Sequence, residues 1–131
     1  MRFFRQTLLS VCLILPFAVF AQPIANNDLA STDEDTNVVF DIVGNDTDAT
    51  LTIDPSSVDL DVSTPLVIDN SFTSPEGQFS VDALGVVTFV PASNFNGEAI
   101  LSYTVQNTNP SPQTSNQATI TVTVNAVNDV P

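Results

Sequence analysis

The feature that most constrains this chain is a two-residue hydrophobic period that recurs along most of its length. Near the end, Ala118, Ile120, Val122 and Val124 alternate with Thr119, Thr121 and Thr123. Ala99, Leu101, Tyr103 and Val105 do the same around Ser102 and Thr104. Val38, Phe40 and Ile42 share a face in Asn37–Val43, and 57–63 alternates without a fault. Phe79 and Val81 share another face, Gly85 makes a turn, and Val87 and Phe89 return on the next segment. Successive side chains of a strand point to opposite faces, so this period describes half-buried β-strands. Shorter candidates are Ile24–Ala30, Leu51–Ile53 and Leu66–Asp69. Helical spacing is sustained nowhere over three turns.

Seven to eight short strands separated by Asn, Asp, Pro and Gly turns predict an all-β fold, an antiparallel immunoglobulin-like sandwich. The Cys…Trp…Cys marks of an antibody domain are absent, and the broader architecture does not need them. Tyr103, the only Tyr, follows the turn Asn94-Phe95-Asn96-Gly97. Two roles are open to it: its hydroxyl closes a corner on backbone, as in many sandwiches, or its ring simply packs in the core.

The charge distribution narrows function. Arg2 and Arg5 are the only basic side chains, and they precede an apolar run, Leu8–Phe20, that ends in Val19-Phe20-Ala21. This is the layout of a cleavable export signal, and the run is too short for the ~20 residues that span a bilayer. We expect residues 1–21 to be a signal peptide cut after Ala21, giving a secreted or cell-surface protein with no membrane span in its mature form. Cys12 lies inside that run, so the mature chain has no Lys, Arg, His, Cys or Trp, and its fifteen acids leave a formal charge of −15. Such an inventory excludes His-assisted nucleophiles, Schiff-base lysines, Cys/His zinc sites and disulfides. Nucleic acid binding is excluded too, because affinity for a polyanion comes largely from Lys and Arg. Paired carboxylates could in principle do acid–base work. However, the Gly or Ser that follows Asp-Thr in aspartic proteases is missing after both Asp35-Thr36 and Asp46-Thr47. We therefore expect no enzyme.

With no cation in the mature chain, each acid must be solvated, cap a turn or bind a metal. Asp59 and Asp61 alternate with apolar neighbours and read as solvated, whereas Asp54 and Asp82 read as turn formers. Three loop groups remain: Asp33-Glu34-Asp35, Asn45-Asp46-Thr47-Asp48 and Asn128-Asp129. Hard oxygen ligands in loops suit calcium. An EF-hand is ruled out, since Asp33, Asp35 and Asn37 fit but Val38 and Gly44 replace the required Gly and closing Glu. On spacing alone, turn, solvation and metal roles all stay open.

Several segments taken in order resemble bacterial cadherin-like tandem repeats. They are Pro23-Ile24-Ala25-Asn26-Asn27-Asp28 with Thr32-Asp33-Glu34-Asp35-Thr36, then Gly44-Asn45-Asp46-Thr47-Asp48. Val87-Thr88-Phe89-Val90-Pro91, Asn94-Phe95-Asn96-Gly97 and Ser102-Tyr103-Thr104-Val105 resemble the second half, and 120–131 is similar to a repeat boundary. The likeness covers 23–131. It implies a cadherin-like domain over 22–127, a linker over 128–131 and calcium between consecutive domains. The implied ligands are Glu34, Asp46, Asp48, Asn128 and Asp129. The chain departs from the pattern after Asp48, where no Asp-Gly-Asp extension follows, and in having no Asp-Arg-Glu-like segment.

The function this implies is a non-catalytic extracellular spacer or adhesion module, stiffened by calcium at its boundary and part of a longer tandem product. Its partners would be adjacent repeats of the same chain and surface glycans or other cell-surface proteins. The alternative is a carbohydrate-binding module accessory to an exoenzyme, with Phe72 and Phe95 as the loop aromatics that could meet a sugar.

Overall fold

The computed structural model describes residues 21–128, so residues 1–20 of the expected signal peptide and Asp129 lie outside the described residues. Eight strands occur among them: β1 (Asp28–Asp33), β2 (Val38–Asp41), β3 (Ile53–Asp59), β4 (Ser71–Ser74), β5 (Gly77–Val81), β6 (Val86–Pro91), β7 (Gly97–Asn107) and β8 (Ala118–Asn125). They form two four-stranded sheets, ordered β1-β8-β7-β3 and β2-β6-β5-β4. The all-β sandwich predicted from the two-residue period is thus the observed architecture.

Inward residues of both sheets make one core. Ile42, Val58, Leu60, Phe79, Val87, Phe89, Tyr103, Val105, Ile120 and Val122 are essentially without solvent exposure. β8 shows how the pattern operates, with Ala118, Ile120, Val122 and Val124 buried while the threonines between them stay partly or fully exposed. Across β5 and β6, Phe79 and Phe89 are register partners whose rings sit 4.5 Å apart at a 41° tilt. Gly85 closes the β5–β6 hairpin at φ 78°, and a Cβ there would come within 2.6 Å of Val43. A glycine is therefore required both by the backbone angle and by the close approach.

Two segments depart from the sequence reading. Leu66–Asp69 is a loop, not a strand, because Leu66 takes φ 69°, a left-handed conformation that ends extended structure. β4 was not anticipated; its only apolar side chain, Phe72, gives too short an alternation to stand out, and β4 is defined by its pairing to β5.

β1 pairs with β8 in parallel, from Asp28↔Ile120 to Asp33↔Asn125, while the other strand pairs are antiparallel. Parallel first and last strands point the same way, so the chain enters at one pole and leaves at the other. At ~3.3 Å per residue, β1 separates the poles by about 17 Å. Ahead of β1, side chains join the backbone pairing of Ile24 with Thr47. The Asn116 amide accepts from Ala25 N–H at 3.0 Å and donates to Ala25 carbonyl at 2.9 Å, holding both backbone polar groups of one residue.

Phe89 lies at the centre of this packing with no exposure. Truncating Phe89→Ala should cost about 3–5 kcal/mol, by lost transfer energy and by the cavity it leaves. A urea titration monitored by far-ultraviolet circular dichroism would show the lowered midpoint.

Candidate functional site

The upstream pole, where the chain enters, is organised by Tyr103. β7 carries its ring into the core, and its hydroxyl reaches the segment before β1 and the end of β2. It lies 2.9 Å from Asn26 carbonyl, 3.1 Å from Ile42 carbonyl, 3.0 Å from Asp28 Oδ2 and 3.2 Å from each oxygen of Asp46. Of the two roles open to Tyr103, the hydroxyl corner is thus realised, on a fully buried ring. Asp46 also accepts Asn26 N–H at 2.8 Å, and Asn45 Nδ2 donates to Asp28 Oδ1 at 3.0 Å.

These five oxygens are all acceptors, and the hydroxyl has one proton to give. Asp28 and Asp46 are only 7% and 8% exposed, so water cannot make up the shortfall freely. Burial above all, with the neighbouring charges of Asp46 and Asp41 adding to it, raises the pKa of Asp28 to about 6, against hydrogen bonds from Tyr103 and Asn45 that lower it. Burial raises the pKa of Asp46 too. The Tyr103 phenol is pushed far up by burial and by both carboxylates, so it remains a donor. Sequence reading did not single out Asp28 as a site residue; it saw it only within a candidate strand and in the Pro23–Asp28 segment that carries the resemblance. The available signal was the run Asn26-Asn27-Asp28 together with a lone tyrosine.

Asp48 stands a few residues beyond Asp46 and faces outward. Its Oδ1 accepts Thr50 and Leu51 N–H at 2.8 and 2.7 Å, and its Oδ2 accepts Asn107 Nδ2 at 3.0 Å. The Asn107 bond, with these backbone donors behind it, lowers its pKa. Asp48 therefore caps its own turn as a stable anion.

Glu34 and Asn128 lie at the opposite, downstream pole. Glu34 N–H donates to Asn125 carbonyl at 2.9 Å, and Glu34 Oε1 accepts the N–H of Val127. Asn128, one residue further, is exposed. Asp35 adopts φ 58° in the adjoining turn and accepts Asn94 N–H at 3.1 Å. The ligands implied by the resemblance are thus divided: Glu34 and Asn128 share one pole, Asp46 and Asp48 the other. Among the described residues, no three acidic side chains converge to hold a metal ion.

The loop aromatics are placed differently from the expectation of open sugar platforms: both Phe72 and Phe95 are partly buried and packed against the core. A surface groove of about 470 Å³ lies elsewhere, under the loop that carries Leu66 and over Thr104 and Gln106 of β7. Among the described residues no helix is long and apolar enough to cross a membrane.

The family model for the bacterial cadherin-like domain matches residues 21–126, and the chain belongs to that family. Comparison with curated proteins gives no match. Domains of this family serve generally as adhesion or spacer modules, are typically extracellular and non-catalytic, and generally bind calcium.

The acceptor excess at Tyr103 has a pH consequence. A carboxyl whose folded pKa is raised contributes stability at low pH, and that contribution is lost as pH rises from the ordinary value near 3.8 through about 6. Melting temperature should fall across that window. Asp28→Asn, which keeps a neutral side chain with a donor in place, should flatten this part of the profile relative to the parent. Thermal melts between pH 4 and pH 7, in buffers of matched ionic strength, would read the difference.

Proposed function

We propose that this domain is an exported, non-catalytic spacer or adhesion module whose geometry is stiffened by calcium at its two poles. The observation that carries this reading is the division of the candidate ligands along β1. A single domain offers only half of the oxygen set at each end, and a neighbouring repeat stacked end to end would bring the complementary half.

At the downstream pole, Glu34 is held by Val127 N–H through one carboxylate oxygen, and its other oxygen is left for a cation. Asn128 extends from the same strand end, and with Asp129, the next residue in sequence, would complete that half. At the upstream pole Asp48 is the outward acid, and Asp46 lies beneath it and fixes Asn26. When bound, calcium would supply a hard divalent charge that 6–8 oxygens can share. The protein's own contribution is the fixed pole: backbone donors orient Glu34 and Asp48 before any cation arrives. The uncompensated charge supports the same reading, since bound cations relieve the self-repulsion of a −15 domain. Among the described residues, Phe72 and Phe95 are partly buried against the core, which favours the spacer reading over the sugar-binding alternative.

Extracellular modules bind calcium at ~10⁻⁴–10⁻³ M. About 1–2 mM CaCl2 should therefore raise the melting temperature in a buffer near ~0.15 M salt, where ionic strength hardly changes and surface charges are already screened. Equimolar MgCl2 should raise it less, and Glu34→Gln should lose most of the calcium effect. A melting temperature indifferent to calcium would rule out a specific site in this domain.

A further inference from the structure

We propose that Gln22 is a modification site, converted to pyroglutamate once the leader is cut after Ala21. This rests on the export reading above. In the reaction the freed α-amino nitrogen attacks the side-chain carbonyl carbon of the same residue. The new N–Cδ bond closes a five-membered ring, the Cδ–Nε2 bond breaks, and the amide nitrogen leaves as ammonia with the amine's proton. No oxidant, reductant or co-reactant is needed.

The structure prepares Gln22 for this step. Pro23 is fully buried, and Ile24 exchanges both backbone hydrogen bonds with Thr47, at 2.7 and 3.0 Å. The locked fold thus begins one residue after the cut. Gln22 is exposed, and its side chain makes no hydrogen bond among the described residues. Its amide is free to fold back on its own terminus.

The consequence follows from the missing cations. In a chain without Lys, Arg or His beyond residue 21, the new α-amino group would be the only positive charge. It would also emerge beside Asp48: Ala21 carbonyl accepts Asn107 Nδ2 at 3.2 Å, and the same nitrogen donates to Asp48 Oδ2 at 3.0 Å. Cyclisation removes that charge and leaves the upstream pole purely anionic.

The test is intact-mass analysis of the full chain, expressed with its leader in a bacterial host and recovered after export. The expected product is 22–131 less one ammonia. An amine-reactive reagent gives a second reading, because the mature chain has no lysine and only a free α-amino group can take the label. The wild type should remain unlabelled, and Gln22→Ala should take one label. A mass of 22–131 with its ammonia retained, and one label taken, would overturn the proposal while leaving the cleavage reading intact. A product beginning at another residue would overturn both, and the mass tells the two failures apart.

Discussion

The constraint on which the rest of this structure depends is that, among the described residues, the acids have no side-chain cation to pair with. They are satisfied instead by backbone N–H groups. Asp41 accepts Val43 and Gly44, Asp48 accepts Thr50 and Leu51, and Asp82 accepts Leu84 and Val86. Asp59 reaches further, taking the N–H of Asp61 and that of Asp69, so it pins the loop between β3 and β4 at two points. These are Asx-type turns, in which a short carboxylate holds the chain just beyond it. The arrangement explains how a strongly anionic domain can still be compact. Each acid that organises a turn replaces the backbone's hydrogen bonds to water, and most remain near enough to the surface to stay solvated.

Asp28 and Asp46 are the exception, because they are buried together against one phenol. Their placement ties three parts of the chain at a single oxygen: the segment before β1, the end of β2 and the middle of β7. Strand pairing alone does not join these parts, as β1 and β2 belong to different sheets. Tyr103 therefore bridges the layers at the upstream pole. The cost is an excess of acceptors, which a proton on Asp28 relieves only below about pH 6. The tie and the raised pKa have the same physical origin.

The sandwich was legible in the sequence wherever one strand face is buried, since a two-residue period cannot be satisfied by a helix. It was legible least where the chain is held by hydrogen bonds and not by burial. β4 is defined by its partner and leaves no hydrophobic signature, whereas the Leu66 loop carries an apolar run, Leu66-Val67-Ile68, that a backbone angle keeps out of any strand. The acids divide in the same way. Asp54 and Asp82 could be read as turn formers from their neighbours, and they are. Asp28 could not, because what makes it unusual is a contact with Tyr103, 75 residues away. Nor could the parallel β1–β8 pairing be seen in a pattern that fixes faces but not strand directions.

That pairing decides what the candidate ligands can do. With antiparallel first and last strands, the chain would enter and leave at the same end, and Asn128 would lie with Asp48 on a single pole, away from Glu34. Parallel pairing puts the acid after β1 beside the chain's exit and the Asp46–Asp48 turn beside its entrance. Both poles are anionic, so two such domains brought end to end repel each other unless something positive lies between them. Neither pole can supply that charge from a side chain. The proposed ring at Gln22 would withdraw the one amine that could. A divalent cation shared by Glu34 of one repeat and Asp48 of the next would answer the repulsion and set the spacing with the same contacts.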